Sequence, residues 1–596
     1  MERTQSLSAN YPSLDDEVHN QYISYLRDEL VFFYYCLSRN QDTQHFQNLY
    51  QRLQDVLSLF RDLQSQEMNA TYQDIFVLFY KMIAHTRDYF LGKGEHQSSY
   101  FLLWGWYEHY PELVKDAIRL FVHDIDSDTA GYGSWRDIKY LCEFLHIHSS
   151  QGDAHPLIDF CISLMNEQFV QDVHTWKFST NAYCPDAISH VAKWIPREHK
   201  RFDWLFRRLA IHWTNTHCPY ILKTARTSPH SHSYNNALLK CFRMYRKQIA
   251  LLNKALQTLE VKQCARTYHE ITPTGVPKFA LARQRSFFLP SDKVSEDLSK
   301  TRAYNQIKMY HYTQHEDNCN RDTPSTDVSV DPTKSNAFYA CYSPGYFVKE
   351  ARALLSGDTK DVQKHIRYLN QLWKKQTHDV SMFQLSGFLP IVDISSKMNL
   401  YNRDPLYHAL GMAITLAFHQ TGEFSKRILL VDHIPTWVSL ASCEDFVSCV
   451  KVVFDTLDRL PSTTCNLHNV FAFLASDLFQ QTCSSIGFMK CVIFGYDPHI
   501  PSIKHIHSLF SSQQLILPSF IFWNVCSDFS CEYDVTAAFD ELLHEKGMLF
   551  LSGVSFYLLR TLQYICQDST SQTLISSILK QSRLQVMGSL CMTSFQ

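Results

Sequence analysis

The sequence predicts a multidomain, largely helical chain, in which an all-α helical array is followed by an α/β domain with a doubly wound parallel sheet. Three observations predict it. Only 17 glycines are spread over 596 residues, few for a turn-rich all-β architecture. Apolar residues recur at three- and four-residue intervals through the first third of the chain. From Met382 onward, short apolar runs alternate with amphipathic stretches. A chain of 596 residues also calls for more than one core. Its 45 % hydrophobic and 19 % charged residues argue against wholesale disorder.

Helices are expected at Asp16–Leu37, His45–Gln64, Tyr72–Phe90, Pro111–His123 and Trp135–Leu145, separated by short polar or glycine-containing breaks. Arg201–Trp213 and Asn235–Leu259 continue the pattern, and Val348–Leu355 and Asp361–Lys375 follow. Between these last pairs, residues 315–336 are polar, carry Pro324 and Pro332, and read as a loop. The helices show no fixed-period repeat. Strands are expected at Phe388–Val392, Ile428–Val431, Val492–Phe494, Phe520–Val525 and Met548–Leu551. Helices at Pro405–Phe418, Glu444–Leu457, Leu467–Leu478 and Thr536–His544 lie between them. The organisation this gives is a flexible N-terminus over 1–15, the helical array over 16–376, the α/β domain over 380–570, and a tail over 571–596.

The 18 cysteines form no C-x-x-C pair, so free thiols in a reducing compartment are expected. No apolar stretch reaches the roughly 18 residues a membrane helix needs, and Met-Glu-Arg-Thr-Gln does not start a signal peptide. The expected setting is intracellular and cytoplasmic, without membrane insertion.

The formal net charge of −3 hides an asymmetry. From Val191 to Arg285 there are 18 Lys/Arg against 4 Asp/Glu, a charge of +14 that leaves −17 on the remainder. Such a window is the footprint of a polyanion site. Its candidate RNA-binding residues are Lys193, Arg197, Lys200, Arg201, Arg207, Arg208, Lys240, Arg243, Arg246 and Lys247. Cations neutralise phosphates with release of counterions, and interleaved aromatics such as Trp194, Trp204 and Phe206 can stack bases or simply fill the core.

Gly92-Lys93-Gly94 lacks the spacing of a phosphate loop and reads as a turn between helices. No G-x-S-x-G elbow is present. The histidine pairs His146/His148, His230/His232 and His505/His507 lack a third ligand at metal-binding spacing. With no acid–base or nucleophile set assembled, an enzyme is not expected.

Leu389-Pro-Ile-Val-Asp393-Ile-Ser395-Ser396-Lys397 resembles the first strand and metal loop of von Willebrand factor A domains, whose D-x-S-x-S pattern supplies oxygen ligands to Mg²⁺. Arg87–Glu95, Tyr132–Ile138 and Lys193–Glu198 resemble landmarks of a family of plants, fungi and large DNA viruses. That family joins a helical half to a von Willebrand A-like half. Phe522-Trp523-Asn524 and Leu551-Ser552-Gly553 look like its late strands. In layout it is similar to the Ro ribonucleoproteins, so the resemblance implies a HEAT- or Ro-like array and RNA as a partner. Asp393 and Ser395 keep the metal pattern, whereas Lys397 breaks it. Cys465 and Tyr496 fall where the resemblance expects a Thr and an Asp, with Asp497 one residue late. The site therefore reads as vestigial, with Mg²⁺ not expected to bind and no other cofactor implied. The leading expectation is an RNA-binding or ribonucleoprotein scaffold. The alternative is a protein–protein adaptor or a virus-encoded structural protein, with protein partners and a place in the virion.

Overall fold

A computed structural model describes residues 16–38, 43–64, 70–125, 130–178, 188–223, 232–271, 285–288, 300–304, 306–307, 342–356, 362–383, 385–432, 434–460, 467–478, 489–495, 503–512, 517–525, 542–566 and 568–593. The expected flexible N-terminus, the polar loop 315–336 and most of the expected helix Thr536–His544 lie outside these residues. The protein is mostly helical, with a six-stranded α/β sheet in its C-terminal half. It divides into two compact units, and the division differs from the one expected at 376/380. Residues 1–117 and 341–596 form one unit, and residues 118–340 form the other. The first is called here the sheet unit and the second the inserted unit.

The sheet unit opens with α1 (Asp16–Cys36), α2 (Thr43–Gln64), α3 (Ala70–Arg87) and α4 (Gln97–Tyr107). The last was not expected. Its core, Ser-Tyr-Phe-Leu-Leu-Trp-Gly-Trp, is apolar nearly all round and shows no helical stripe. Then α5 (Pro111–Val122) begins on a proline at its first position, where the missing N–H costs nothing.

In the inserted unit, α6 (Trp135–His148), α7 (Pro156–Phe178), α8 (Asp203–His217) and α9 (His232–Ala255) are the main helices. They pack around Leu145, Cys161, Phe169, Leu205, Phe206, Leu209 and Tyr245, all buried. The Tyr245 hydroxyl donates to Asn166 Oδ1 at 2.7 Å, and Asn166 Nδ2 donates to the Leu209 carbonyl at 3.0 Å, so these two buried polar side chains satisfy each other and the backbone.

Past residue 341 come α10 (Pro344–Leu355) and α11 (Val362–Gln376). The strands are β1 (Phe388–Asp393), β2 (Arg427–Val431), β3 (Thr436–Ser439), β4 (Lys490–Gly495), β5 (Ser519–Asn524) and β6 (Met548–Ser552). Their order is β3-β2-β1-β4-β5-β6, parallel except for β3. The order runs one way from β1 to β2 and the other way to β4, the reversal that defines a doubly wound sheet. Each of the five expected strands is present, and β1 is buried along its whole length, as a central parallel strand must be. The short antiparallel edge β3 was not expected. The principal helices here are α12 (Leu400–His419), α13 (Phe446–Leu457), α14 (Leu467–Phe473) and α15 (Ile503–Ser511).

The expected tail 571–596 is instead structural over its described part. α16 (Ser571–Leu579) and α17 (Gln585–Thr593) pack on α3, burying Leu574, Ile575, Ile578, Leu579, Met587 and Cys591. The Ser571 hydroxyl bridges the outer edge of β6, accepting from Phe550 N at 3.1 Å and donating to Met548 O at 3.2 Å. An otherwise open sheet edge is thereby capped.

Candidate nucleic-acid interface and the strand-end cluster

The basic window folds into elements of the inserted unit, where its ten candidate cations meet different fates. Arg201 pairs with Glu143 at 2.6 Å, and Arg207 with Asp203 at 2.6 Å. Arg208 pairs with Asp159 and also reaches the Asp153 carbonyl. Arg246 pairs with Glu198 at 2.7 Å, and the Glu198 side chain is itself nearly buried. These four are tied to acids that lie far from them in sequence or on the preceding helical turn. Lys193 is half-buried; Arg197, Lys200, Lys240, Arg243 and Lys247 are exposed. Among the described residues these six show no acidic partner within salt-bridge distance.

Three of the six share one face of α9. Its 24 residues include no Asp or Glu at all. Cys241, Phe242, Tyr245 and Leu252 point into the core, so Lys240, Arg243 and Lys247 line the outer face at helical spacing. Lys254, which lies in the window but was not singled out, extends this stripe on the same exposed side. From Lys240 to Lys254 the helix rises about 21 Å. Solvated helices ordinarily intersperse both signs, since opposite charges three or four residues apart stabilise and like charges oppose helix formation.

The aromatics of the window divide likewise. Phe206 is core. Trp204 is half-buried and stacks on His146 with ring centroids 4.6 Å apart. Trp194 is half-buried, with the Lys139 ammonium 5.2 Å and the Arg136 guanidinium 5.9 Å from its ring centroid. Two of the landmark motifs prove to be anchors. In Tyr132–Ile138, Asp137 accepts from Ser134 N at 2.8 Å and caps α6. In Lys193–Glu198, the glutamate holds Arg246 of α9.

The remaining landmarks converge within the sheet unit. The C-terminal turn of α1 leaves backbone carbonyls without helical partners. Lys93 Nζ donates to those of Tyr34 and Leu37, the latter at 2.9 Å, and to Ser552 Oγ at 2.8 Å. Ser552 Oγ in turn donates to Tyr34 O at 2.6 Å, and Asn524 Nδ2 donates to Tyr35 O at 3.2 Å. Ser98 Oγ satisfies Ser38 O at 3.0 Å. Thus the last residues of β5 and β6 hold a helix end, in the region where open α/β sheets ordinarily receive ligands. Burial pulls the Lys93 ammonium down from its ordinary value to about 7, with Glu95 acting against the shift. Burial, helped by Lys93, also depresses the His85 imidazole, whose Nε2 lies 3.2 Å from the Tyr34 hydroxyl. Glycine is obligatory on either side of the cluster. A Cβ at Gly92 would lie 2.0 Å from the His85 carbonyl, and Gly553, at φ +115°, would bring one to 3.2 Å from Lys93 Cγ. Sequence reasoning read Gly92-Lys93-Gly94 as a turn and missed the lysine; its signal was a cation between two glycines, directly after the apolar Tyr89-Phe-Leu91. Beside it, Asp88 makes a buried ion pair with Arg583 at 2.8 Å.

Asp393 ends β1, buried, and its Oδ1 accepts from Ser395 N at 2.8 Å. Ser395 is buried and Lys397 exposed, in the short turn that leads into α12. Gly495, at the end of β4, packs against Asp393. Cys465, Tyr496 and Asp497 lie outside the described residues. Among the described residues no group of three His, Cys, Asp or Glu could hold a metal ion. The described oxygen donors on this loop are the Asp393 carboxylate, whose Oδ1 already accepts a backbone N–H, and the hydroxyls of Ser395 and Ser396. Of the histidine pairs, His146 stacks on Trp204, His505 stacks on His468 at 4.3 Å, and His507 meets Glu545 at 3.2 Å; His230 lies outside the described residues. No described helix is long and apolar enough to cross a membrane.

No protein-family model matches the chain. No solved structure matches it either. Over 543 residues the chain is 21 % identical to an uncharacterised protein of Acanthamoeba polyphaga mimivirus, covering 85 % of this chain and 79 % of the viral protein, so it has a distant relative in a large DNA virus along most of its length.

Proposed function

We propose that this chain is a non-enzymatic RNA-binding scaffold in which a HEAT- or Ro-like helical array presents α9 to RNA phosphates. The observation that carries the reading is the outer face of α9, where Lys240, Arg243, Lys247 and Lys254 stand exposed on a helix without a single acidic residue. Concentrating one sign of charge is costly in the absence of a polyanion and favourable in its presence. The sheet, with its reversed strand order and antiparallel edge β3, supports a von Willebrand A-like domain whose metal loop serves structure. Its strand-end polar groups Asn524 and Ser552 are committed to backbone carbonyls of α1, which favours a scaffold over a catalyst.

Arg243→Gln with Lys247→Gln is expected to weaken binding of a labelled single-stranded RNA. The slope of log affinity against log salt should flatten by about 0.7 per lost phosphate contact. Arg246 is left intact because it holds Glu198. Fluorescence anisotropy at several salt concentrations measures both quantities. Absence of binding by the unaltered protein at low salt would replace this reading by the adaptor one.

The metal loop has its own test. Titration calorimetry with Mg²⁺ and Mn²⁺ is expected to show no micromolar binding, because Lys397 brings positive charge to the third ligand position. Saturable binding abolished by Asp393→Ala would overturn that.

A further inference from the structure

We infer that α11, in the sheet unit, is a second RNA-contacting surface that engages the phosphate backbone independently of α9; the inference rests on the RNA-binding reading above. Its sequence, Val-Gln-Lys-His-Ile-Arg-Tyr-Leu-Asn-Gln-Leu-Trp-Lys-Lys-Gln, contains four Lys/Arg and no acidic residue. Residues 286–596 together carry 25 Lys/Arg and 29 Asp/Glu, a sum of only −4, so composition over long windows conceals the helix.

The helix is held rigidly by its opposite side. Leu369, Leu372 and Trp373 are buried. Trp373 Nε1 donates to Thr415 Oγ1 at 3.1 Å, and Asn370 Oδ1 accepts from Val447 N at 3.0 Å. At 100° per residue, Lys364, Arg367, Lys374 and Lys375 fall on the other side, all exposed, with Gln363, Tyr368 and Gln371 among them. The helix macrodipole accounts for Lys374 and Lys375 in the last turn, but not for Arg367 at mid-helix. Arg367 and Lys374 show no acidic partner within salt-bridge distance among the described residues. α10 brings Lys349, Arg352 and Glu350 to this side of the unit, and α13 brings Lys451 and Asp455, with Glu444 and Asp445 just before its first turn, where Val447 N meets Asn370.

Chemistry selects the partner. A helix that docks on an anionic membrane needs an apolar face free to enter the lipid. Here the apolar face is spent on the core, and no large apolar side chain of α11 is exposed. A fixed row of cations with interspersed amides fits the phosphates and sugar hydroxyls of RNA.

The test uses the full chain and a long labelled single-stranded RNA, with anisotropy read across a salt series. Four proteins are compared: unaltered, Arg367→Gln/Lys374→Gln, Arg243→Gln/Lys247→Gln, and all four substitutions together. The α11 pair is expected to weaken binding roughly tenfold at low salt and to flatten the salt slope by about 1.4, with the two pairs additive. Unchanged melting temperatures establish that the variants fold. An α11 pair indistinguishable from the unaltered protein, while the α9 pair is weakened, overturns this inference and leaves the RNA reading standing. Loss confined to the α11 pair supports it and displaces the site from α9. No RNA binding by the unaltered protein overturns both. Sedimentation with phosphatidylserine vesicles, lost in the α11 pair while RNA affinity is unaffected, would assign the stripe to membranes and overturn the inference.

Discussion

Ending the chain after Thr570 is expected to abolish the folded sheet unit, although the removed segment was read from the sequence as a tail. Six buried side chains of α16 and α17 would be lost from the face of α3. At about 1.5–3 kcal/mol for each fully buried side chain, the loss is on the order of 10 kcal/mol. That rivals the roughly 5–15 kcal/mol by which a domain is stable at all. The measurement is the cooperative thermal transition, followed by circular dichroism. A truncated chain that melts as the full one does would show that α16 and α17 contribute nothing to the unit. A finer version substitutes Arg583→Ala, which strands the Asp88 carboxylate in the interior and should cost about 3–5 kcal/mol. Replacing both partners, Asp88→Leu with Arg583→Met, should cost less than the single change, since no uncompensated charge remains.

Lys93→Met should be nearly as damaging and should also alter the pH dependence of stability. The Leu37 carbonyl and the Ser552 hydroxyl would lose their donor, while the Tyr34 carbonyl would keep only Ser552 Oγ. At about 1–3 kcal/mol for each stranded buried group, the expected cost is roughly 2–6 kcal/mol. The sign of the pH effect follows from the direction of the shift. The folded-state value of about 7 lies below the unfolded value of 10.5, so between these limits the unfolded chain binds more protons. Stability from this group therefore rises as pH increases from about 7 toward 10.5, and the ammonium is most costly below that window. Melting curves at pH 6, 8 and 9.5 should show the unaltered protein gaining on the Lys93→Met variant as pH rises. Parallel pH profiles would mean that the ammonium is not destabilised by its burial.

Most elements that a periodic stripe announces were legible from the sequence, and so was the change to an α/β pattern near residue 382. The helices Pro156–Phe178 and Ile503–Ser511 were not expected, although the second carries such a stripe. Much of the rest that stayed hidden depended on distant partners or on residues without a pattern. The helix Gln97–Tyr107 is apolar on every side, so no moment marks it. β3 is four residues long and pairs only along an edge. The boundary expected at 376/380 failed because α1–α4 share a core and polar contacts with strands and helices more than 400 residues away, such as Asp88 with Arg583 and Lys93 with Ser552. On the candidate interface, the absence of acids within α9 could be read directly. Glu143 and Asp159, which take Arg201 and Arg208 out of play, lie 58 and 49 residues from them and could not. Glu198 was in plain view in its motif, but only packing shows that its partner is Arg246.

The chain order of the sheet unit constrains how the protein is made. Asp88 is synthesised 495 residues before Arg583. At about 5–20 residues per second, roughly 25–100 s pass before its counter-charge leaves the ribosome. During that interval α1 to α4 have emerged without the strands that cover them, and the exposed end of α1 has neither Ser552 nor Asn524. Meanwhile residues 118–340 are already fully translated and free to compact on their own. The first helices to appear are therefore among the last to complete their contacts, and their apolar faces wait for partners longer than the N-terminal sequence would suggest.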